Sequence, residues 1–300
     1  MQDNIDNLDE FDEQTEFELN ETGKEFIQNL VKYDPQKSKM INKDDDWYFS
    51  DTEYITNSHL KILKEGGPER FKAFKEGLLP KKETKARTEG SSFHCMLFEP
   101  EQYEKRFFVF DDAKIVAEIG GGNPRATTKY KEWKAEQTKL SASKEILSKD
   151  LFDTHMRMCD KINSIPEVIE MIRGCLYEKI YTSSWNGIKL KMKGDCINPG
   201  NYYLDAKTTR FPATLENYQW EFKKYSTARQ LAFYAQILGL KSMWILAVEK
   251  TYPFSVGLYE VTEATLGIGW QEAQRELEKY QKYFVKNPEL LEQKLTMGFL

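Results

Sequence analysis

Long apolar runs are missing from this chain of 300 residues. Nothing in it approaches the roughly 18–20 consecutive apolar residues that cross a bilayer, so no membrane partner is expected. Cysteine is scarce. Cys95, Cys159, Cys175 and Cys196 are the four, and no two form a C-x-x-C pair. That spacing argues against a zinc ribbon and presents no evident iron–sulfur ligand set. The thiols read as reduced and partly buried, as in a cytoplasmic protein. The opening residues, MQDNIDNLDEFDE, lack the basic and apolar regions of a signal peptide, and the expected location is the cytoplasm. No internal repeat or coiled-coil heptad is visible.

Hydrophobic residues make up 40% of the chain and aromatics 13%, enough to build a core. The net charge of -5 is unevenly spread. Residues 1–22 hold nine acids and no Lys or Arg, which leaves 39 acids against 43 bases in the rest. The body from 23 to 300 is therefore mildly basic, and residues 1–22 read as an acidic, disordered tail with apolar residues that can fold on a partner, lie over a basic groove or simply solubilise.

A helix is expected over about 21–33, polar loop over 34–50, and a second helix over about 58–76, interrupted at Gly66-Gly67-Pro68. Loop is expected at 80–88, a short helix from Gly90 to Phe98, loop again at 111–124, and polar helices over about 125–174. From 175 the texture changes to alternating β-formers. Asn186-Gly187 marks a two-residue hairpin, and Asn198-Pro199-Gly200-Asn201 a second turn. A helix over 226–240, strands over 242–249 and 254–261, and a helix over about 263–285 with a short terminal helix follow. The fold class is α/β in the α+β sense, a central mixed β-sheet flanked by helices, with a helical part (about 23–174) ahead of a catalytic core (about 175–285).

The segment GDCINPGNYYLDAK, 194–207, carries the chemistry. Its turn sets Asp195 opposite, or one residue diagonal to, Asp205 on neighbouring strands about 4.8 Å apart. Two such carboxylates can share a hard divalent cation such as Mg2+, and the Ala206 carbonyl can add a ligand. Asp205 and Lys207 are two apart and face the same way, which sets an ammonium where it can orient a water and offset charge on a phosphorane. By themselves the three residues also describe a solvated ion cluster. In the helix STARQLAFYAQILGL, Gln230 and Tyr234 lie at i and i+4 on a nearly all-apolar segment; they either order the lysine or touch a phosphate, or bond internally to the sheet. Gly90 and His94 stack on one helical face, with His94 a candidate metal ligand, while His59 and His155 read as packed histidines. Lys189, Lys191 and Lys193 project from one strand face, and Arg210, Lys223, Lys224 and Arg229 lie near the site in sequence. They are either a phosphate-binding row or the solvated side of a half-buried strand.

In this order the elements resemble the RecB-like branch of the PD-(D/E)xK nuclease superfamily, and within it exodeoxyribonuclease VIII (RecE) and its phage relatives. The likeness lies in Gly90-Ser-Ser-Phe-His94, Leu97-Phe98-Glu99-Pro100, Glu178, Gly194-Asp195, Asp205-Ala206-Lys207-Thr208 and the Gln230 to Tyr234 helix, and covers about 52–285. It implies a restriction-endonuclease-like core and a Mg2+-dependent (Mn2+ substituting) 5′-to-3′ exonuclease on linear double-stranded DNA, in a bacterial or phage-infected cell. It also implies a single-strand annealing partner in recombination and a possible homo-oligomeric ring. By resemblance His94, Asp195 and Asp205 hold metal, Lys207 is the catalytic lysine, and Gln230, Tyr234 and Glu178 are auxiliary. The rival readings are a structure-specific endonuclease of the same fold and a catalytically silent DNA-binding or inhibitory protein.

Overall fold

Asn186 and Gly187 both take positive φ, 46° and 81°, as a tight two-residue connection between twisted strands requires. They join the two long strands that carry the sheet. The computed structural model describes residues 19–30, 38–79 and 85–292. Residues 1–18 of the acidic tail lie outside the described residues.

The first elements are α1 (Glu21–Leu30), β1 (Lys39–Ile41), α2 (Asp45–Ser50) and α3 (Asn57–Lys75). A helical region follows: α4 (Lys85–Phe98), α5 (Tyr103–Arg106), β2 (Phe107–Phe110), α6 (Ala113–Ile119), α7 (Thr128–Leu140), β3 (Glu145–Ser148), α8 (Lys149–Asn163) and α9 (Pro166–Ile172). The sheet-bearing part comprises β4 (Leu176–Trp185), β5 (Ile188–Asn198), β6 (Tyr202–Thr209), α10 (Leu215–Lys224), α11 (Thr227–Leu238), β7 (Ser242–Glu249), β8 (Val256–Val261) and α12 (Glu263–Tyr280). Helical turns over 281–292 end the described chain.

The main sheet has the order β1-β4-β5-β6-β7-β8. All neighbours are antiparallel except β6 and β7, which run parallel. A small parallel pair, β2 and β3, lies apart. Period-two alternation sends Tyr203, Met243, Ile245 and Ala247 to one face, against α1, α3, α11 and α12. Leu204, Ala206, Leu246 and Val248 go to the other, against α4, α8 and α9. This is the expected helix–sheet–helix layering. Helices α11 and α12 cross closely at Gly269, where a Cβ would stand 2.2 Å from the Ala228 carbonyl oxygen; only the absence of a side chain permits that approach.

Several elements differ from the sequence expectation. The stretch 34–50, read as loop, contains β1 and α2. Helix α2 is capped by Asp44, whose side chain accepts from the Trp47 N–H at 2.8 Å, with Asp45 and Asp46 in its first turn; both features favour a helix start. Within 111–124, also read as loop, α6 forms. Helix α4 starts at Lys85, inside the expected loop, and α10 fills a stretch to which no element was assigned. The expected break in α3 is a kink at Gly67, with φ 71°.

His59 and His155 are buried, as read. The His59 Nδ1 accepts from the Thr56 N–H at 3.4 Å, closing a reciprocal cap at the start of α3. The His155 Nδ1 lies 3.1 Å from Ser92 Oγ. Burial pulls both pKa values down from 6.5 to about 4. The unfolded chain therefore binds these protons more tightly than the folded one. The stabilisation is full above pH about 6.5 and is lost as pH falls through about 4, a change of roughly 3 kcal/mol per histidine. Urea unfolding should show stability dropping steeply from pH 6.5 to 4, and His59→Gln should flatten that slope; a slope unchanged in the variant would refute the assignment.

Candidate active site

The ladder between β4 and β5 keeps one register along its length, yet it lacks the pair formed by Glu178 and Asp195. At that point Glu178 takes φ 51°, a left-handed conformation uncommon for a residue other than glycine. The alternation in β5 changes sides across this fault: Ile188, Leu190 and Met192 enter one core, and so does Ile197, while Cys196 enters the other. The β5–β6 ladder is short and runs only from Asn198–Tyr202 to Cys196–Leu204. Extending its register by one step sets Asp195 opposite Asp205, as expected from the turn. The Ala206 N–H donates to Asp195 Oδ2 at 3.0 Å, in place of a backbone rung. Three carboxylates thus stand where the sheet opens.

Helix α4 brings His94 to this opening. The His94 Nε2 lies 2.9 Å from the Ala206 carbonyl oxygen. Its Nδ1 lies 3.5 Å from Asp195 Oδ1 and 3.7 Å from Glu178 Oε1. Burial alone would lower the imidazole pKa, but Asp195 and Glu178 outweigh it and raise it to about 10. Burial would likewise raise Asp195, and His94 and Lys207 together hold it below the usual carboxylate range.

Asp205 is fully buried. Its Oδ1 accepts from the Tyr203 hydroxyl at 2.9 Å and from the Gln230 amide at 3.2 Å, and its Oδ2 lies 2.5 Å from Lys207 Nζ. Burial raises the Asp205 pKa, Lys207 opposes that, and Asp195 adds to it. Lys207 is raised, since Asp205 and Asp195 more than offset its burial. Tyr234 packs edge-on to Tyr203, with ring centroids 5.5 Å apart, and burial holds its phenol protonated well beyond the usual range.

Of the expected site residues, the fold therefore gathers His94, Glu178, Asp195, Asp205, Ala206, Lys207, Gln230 and Tyr234. One nitrogen or oxygen from each of His94, Glu178 and Asp195 falls within 4.8 Å of the others, a grouping able to hold a metal ion. Glu178, read as auxiliary, belongs to this set. Asp205 stands beside it, turned to Lys207. The Ala206 carbonyl, read as a ligand, faces His94 instead. A histidine that donates one ring N–H to a carbonyl keeps its other nitrogen free as a ligand. Glu178 Oε1 is buried without a hydrogen-bond partner. Carboxylate oxygens with one imidazole suit a divalent cation, so the donor set fits.

The lysine row is corrected. Only Lys189 is exposed, paired with Glu53. Lys191 is fully buried; its Nζ donates to the Asp51 carbonyl at 2.8 Å and lies 4.7 Å from the Trp47 ring centre. Such an ammonium has no reach to a phosphate. Lys193 bridges Asp45 at 2.7 Å and Glu178 at 2.9 Å, inside the site. Arg229 is also buried, donating to Asn57 at 2.9 Å and Glu272 at 2.7 Å, and serves the fold. Arg210 is exposed. Two contributors were missed. Tyr203 shares the face of Asp205 and Lys207, and the same alternation points to it. Helix α2 supplies Asp45 and sets Tyr48, whose pKa is raised chiefly by burial and also by Asp195 and Glu178; the Asp44 cap was its available signal.

This arrangement, a mixed sheet with acids and a lysine at its opened strands, defines the restriction-endonuclease-like nuclease fold. The chain belongs to the family described as the PDDEXK-like domain of unknown function (DUF3799), whose model matches residues 56–289. The resemblance drawn from the motifs is thus borne out, and family and fold together support a nuclease. No curated protein matches. A crystal structure named "Putative exonuclease", from Eubacterium rectale, aligns with TM-score 0.56 and 15% identity over 87% of this chain and 97% of that one. A second, that of SSO0001, aligns with TM-score 0.26 and 13% identity over 63% and 85% of the respective chains and carries no weight. Among the described residues no helix is long and apolar enough to cross a membrane.

The grouping makes Glu178 a direct test of the metal site. Glu178→Gln and Asp195→Asn should each weaken Mn2+ binding, read by calorimetry, by at least about tenfold. Unchanged affinity in Glu178→Gln would remove it from the set.

Proposed function

We propose that this chain is a magnesium-dependent deoxyribonuclease that hydrolyses phosphodiester bonds at the ends of linear double-stranded DNA. The carrying observation is the junction of two sets: His94, Glu178 and Asp195 on one side, Asp205, Lys207 and Gln230 on the other. His94, Glu178 and Asp195 would hold the ion, with Asp205 beside them. A bound Mg2+, for which Mn2+ can stand in, supplies Lewis acidity and an activated water.

The protein's own groups complete the chemistry. Lys207 stays protonated beside Asp205, and its ammonium is available to orient a water and to offset charge on the phosphoryl oxygens. Gln230 and Tyr203 hold Asp205 in one rotamer through their hydrogen bonds. Lys193 neutralises Glu178 from the side of α2. The burial of Asp205 strengthens its interactions with Lys207, Gln230 and Tyr203.

The exonuclease mode and the 5′-to-3′ direction rest on the likeness to RecE-type enzymes. So do the ring-shaped homo-oligomer, the single-strand annealing partner, the role in recombination and the cytoplasmic setting. The residues that meet DNA phosphates include Arg210 and Lys189, both exposed.

End-labelled linear duplex and covalently closed circles, each incubated with magnesium or EDTA, test the reading. Linear DNA should be degraded only with magnesium, and circles should survive. Asp205→Ala and Lys207→Ala should each lower the rate by about 10²–10³-fold. Cleavage that persists in either variant would refute this centre, and cut circles would establish an endonuclease.

A further inference from the structure

Between the two halves of the catalytic machinery the chain leaves the sheet. Strand β6, with Asp205 and Lys207, ends at Thr209, and α11, with Gln230, begins at Thr227. The intervening residues carry an unusual surface. Phe211 is 48% exposed, Trp220 44% and Tyr225 57%. Large aromatics left in water at this density point to a partner.

These side chains form a connected row. The Phe211 and Trp220 rings meet edge to face at 6.3 Å. Lys224 Nζ lies 4.3 Å from the Trp220 ring centre and 5.6 Å from that of Tyr225. Arg210, Lys223 and Lys224 are exposed around the row, against Glu216, exposed on α10, and Glu221, which follows Trp220 but is buried. The charge there is net positive.

The row is tied firmly to the site. Thr209 Oγ1 accepts from the Phe211 N–H at 3.0 Å. The Ala213 N–H donates to Ser255 Oγ at 2.8 Å, and the Ala213 carbonyl accepts from the Tyr259 hydroxyl at 2.6 Å. Tyr218, on the inner side of α10, stacks on Tyr259 with centroids 5.7 Å apart. Helix α10 passes into α11 through Tyr225 and Ser226, the latter at φ 52°. Phe211 follows Lys207 by four residues, so the row starts no more than about 13 Å from the catalytic lysine. That distance corresponds to about four stacked nucleotides.

We propose that Phe211, Trp220 and Tyr225 form a stacking platform for unpaired bases of the DNA strand leading to the active site, with Arg210, Lys223 and Lys224 meeting its phosphates. The choice of DNA as partner rests on the nuclease reading. A duplex offers base faces only at its end, whereas a single strand offers every base to an aromatic ring. Cationic side chains interleaved with aromatic ones suit that polymer, since each ring can take a base while each cation takes a phosphate. The platform therefore gives the enzyme a preference for ends that carry, or readily open into, a single strand.

Fluorescence anisotropy in EDTA tests this with the full chain and two labelled probes, a blunt duplex of about 20 base pairs and the same duplex with a dT extension of about six nucleotides. The wild type should bind the extended probe about tenfold more tightly than the blunt one. Trp220→Ala should erase most of that preference and leave blunt-end binding within about twofold, and Trp220→Phe should retain it. Equal affinity of the wild type for both probes, or an unchanged preference in Trp220→Ala, would overturn the platform. So would a change in the oligomer mass of Trp220→Ala by sedimentation with DNA binding unmoved, which would make the row a protein contact. Cleavage of the same probes in magnesium separates the two readings. A preference absent while cleavage proceeds overturns the platform alone. A preference present without cleavage supports the platform and overturns the nuclease.

Discussion

Three carboxylates held together away from water repel one another, and much of this structure answers that repulsion. Two unit charges 4 Å apart at a protein-like dielectric cost roughly 4 kcal/mol. Glu178, Asp195 and Asp205 are each met by a cation from a different element: Lys193 for Glu178, His94 for Asp195, Lys207 for Asp205. Those cations come from β5, α4 and β6, so the acids also bind the helical region to the sheet. The same concentration of negative charge suits the grouping of His94, Glu178 and Asp195 to a divalent ion. Strain is part of the arrangement. A left-handed Glu178 and two interrupted ladders would weaken an ordinary sheet, and they occur where the acids converge.

The lysines of β5 show how far alternation alone carries an argument. Lys189, Lys191 and Lys193 share one strand face, as their spacing requires. Their fates differ because different things cover that face. Lys189 reaches solvent, Lys191 is sealed beneath Trp47, Tyr48 and Asp51, and Lys193 is drawn between Asp45 and Glu178. The cover is α2, a six-residue helix too short to announce itself through apolar periodicity. Its capping aspartate was visible, but a cap says where a helix begins and is silent on what it lies against.

The candidate site is arranged around two connections. One is the Asn198–Asn201 turn, which sets Asp195 against Asp205. The other is the segment from Thr209 to Ser226, which leaves β6 and returns in α11 so that Gln230 reaches back to Asp205. The exposed rings of that second segment begin at Phe211, whose N–H is bonded to Thr209 at the end of the strand that carries the lysine.

Local pattern determined most of the sheet-bearing half. The Asn186-Gly187 hairpin, the alternation of β6 and the apolar α11 are short-range features, and each is set by backbone geometry within a few residues. The roles of Asp205 and Lys207 as neighbours followed from the same two-residue period. Only tertiary structure decided which acids converge with His94, since Glu178, Asp195 and His94 come from three elements separated by up to about a hundred residues. It decided too that Ala206 turns its carbonyl to His94, and that Lys191 and Arg229 are interior. Burial depends on what packs above a residue, and that partner is chosen by the whole fold. A charged residue has the same one-letter code in a solvated row and in a sealed ion pair, so its environment had to be seen.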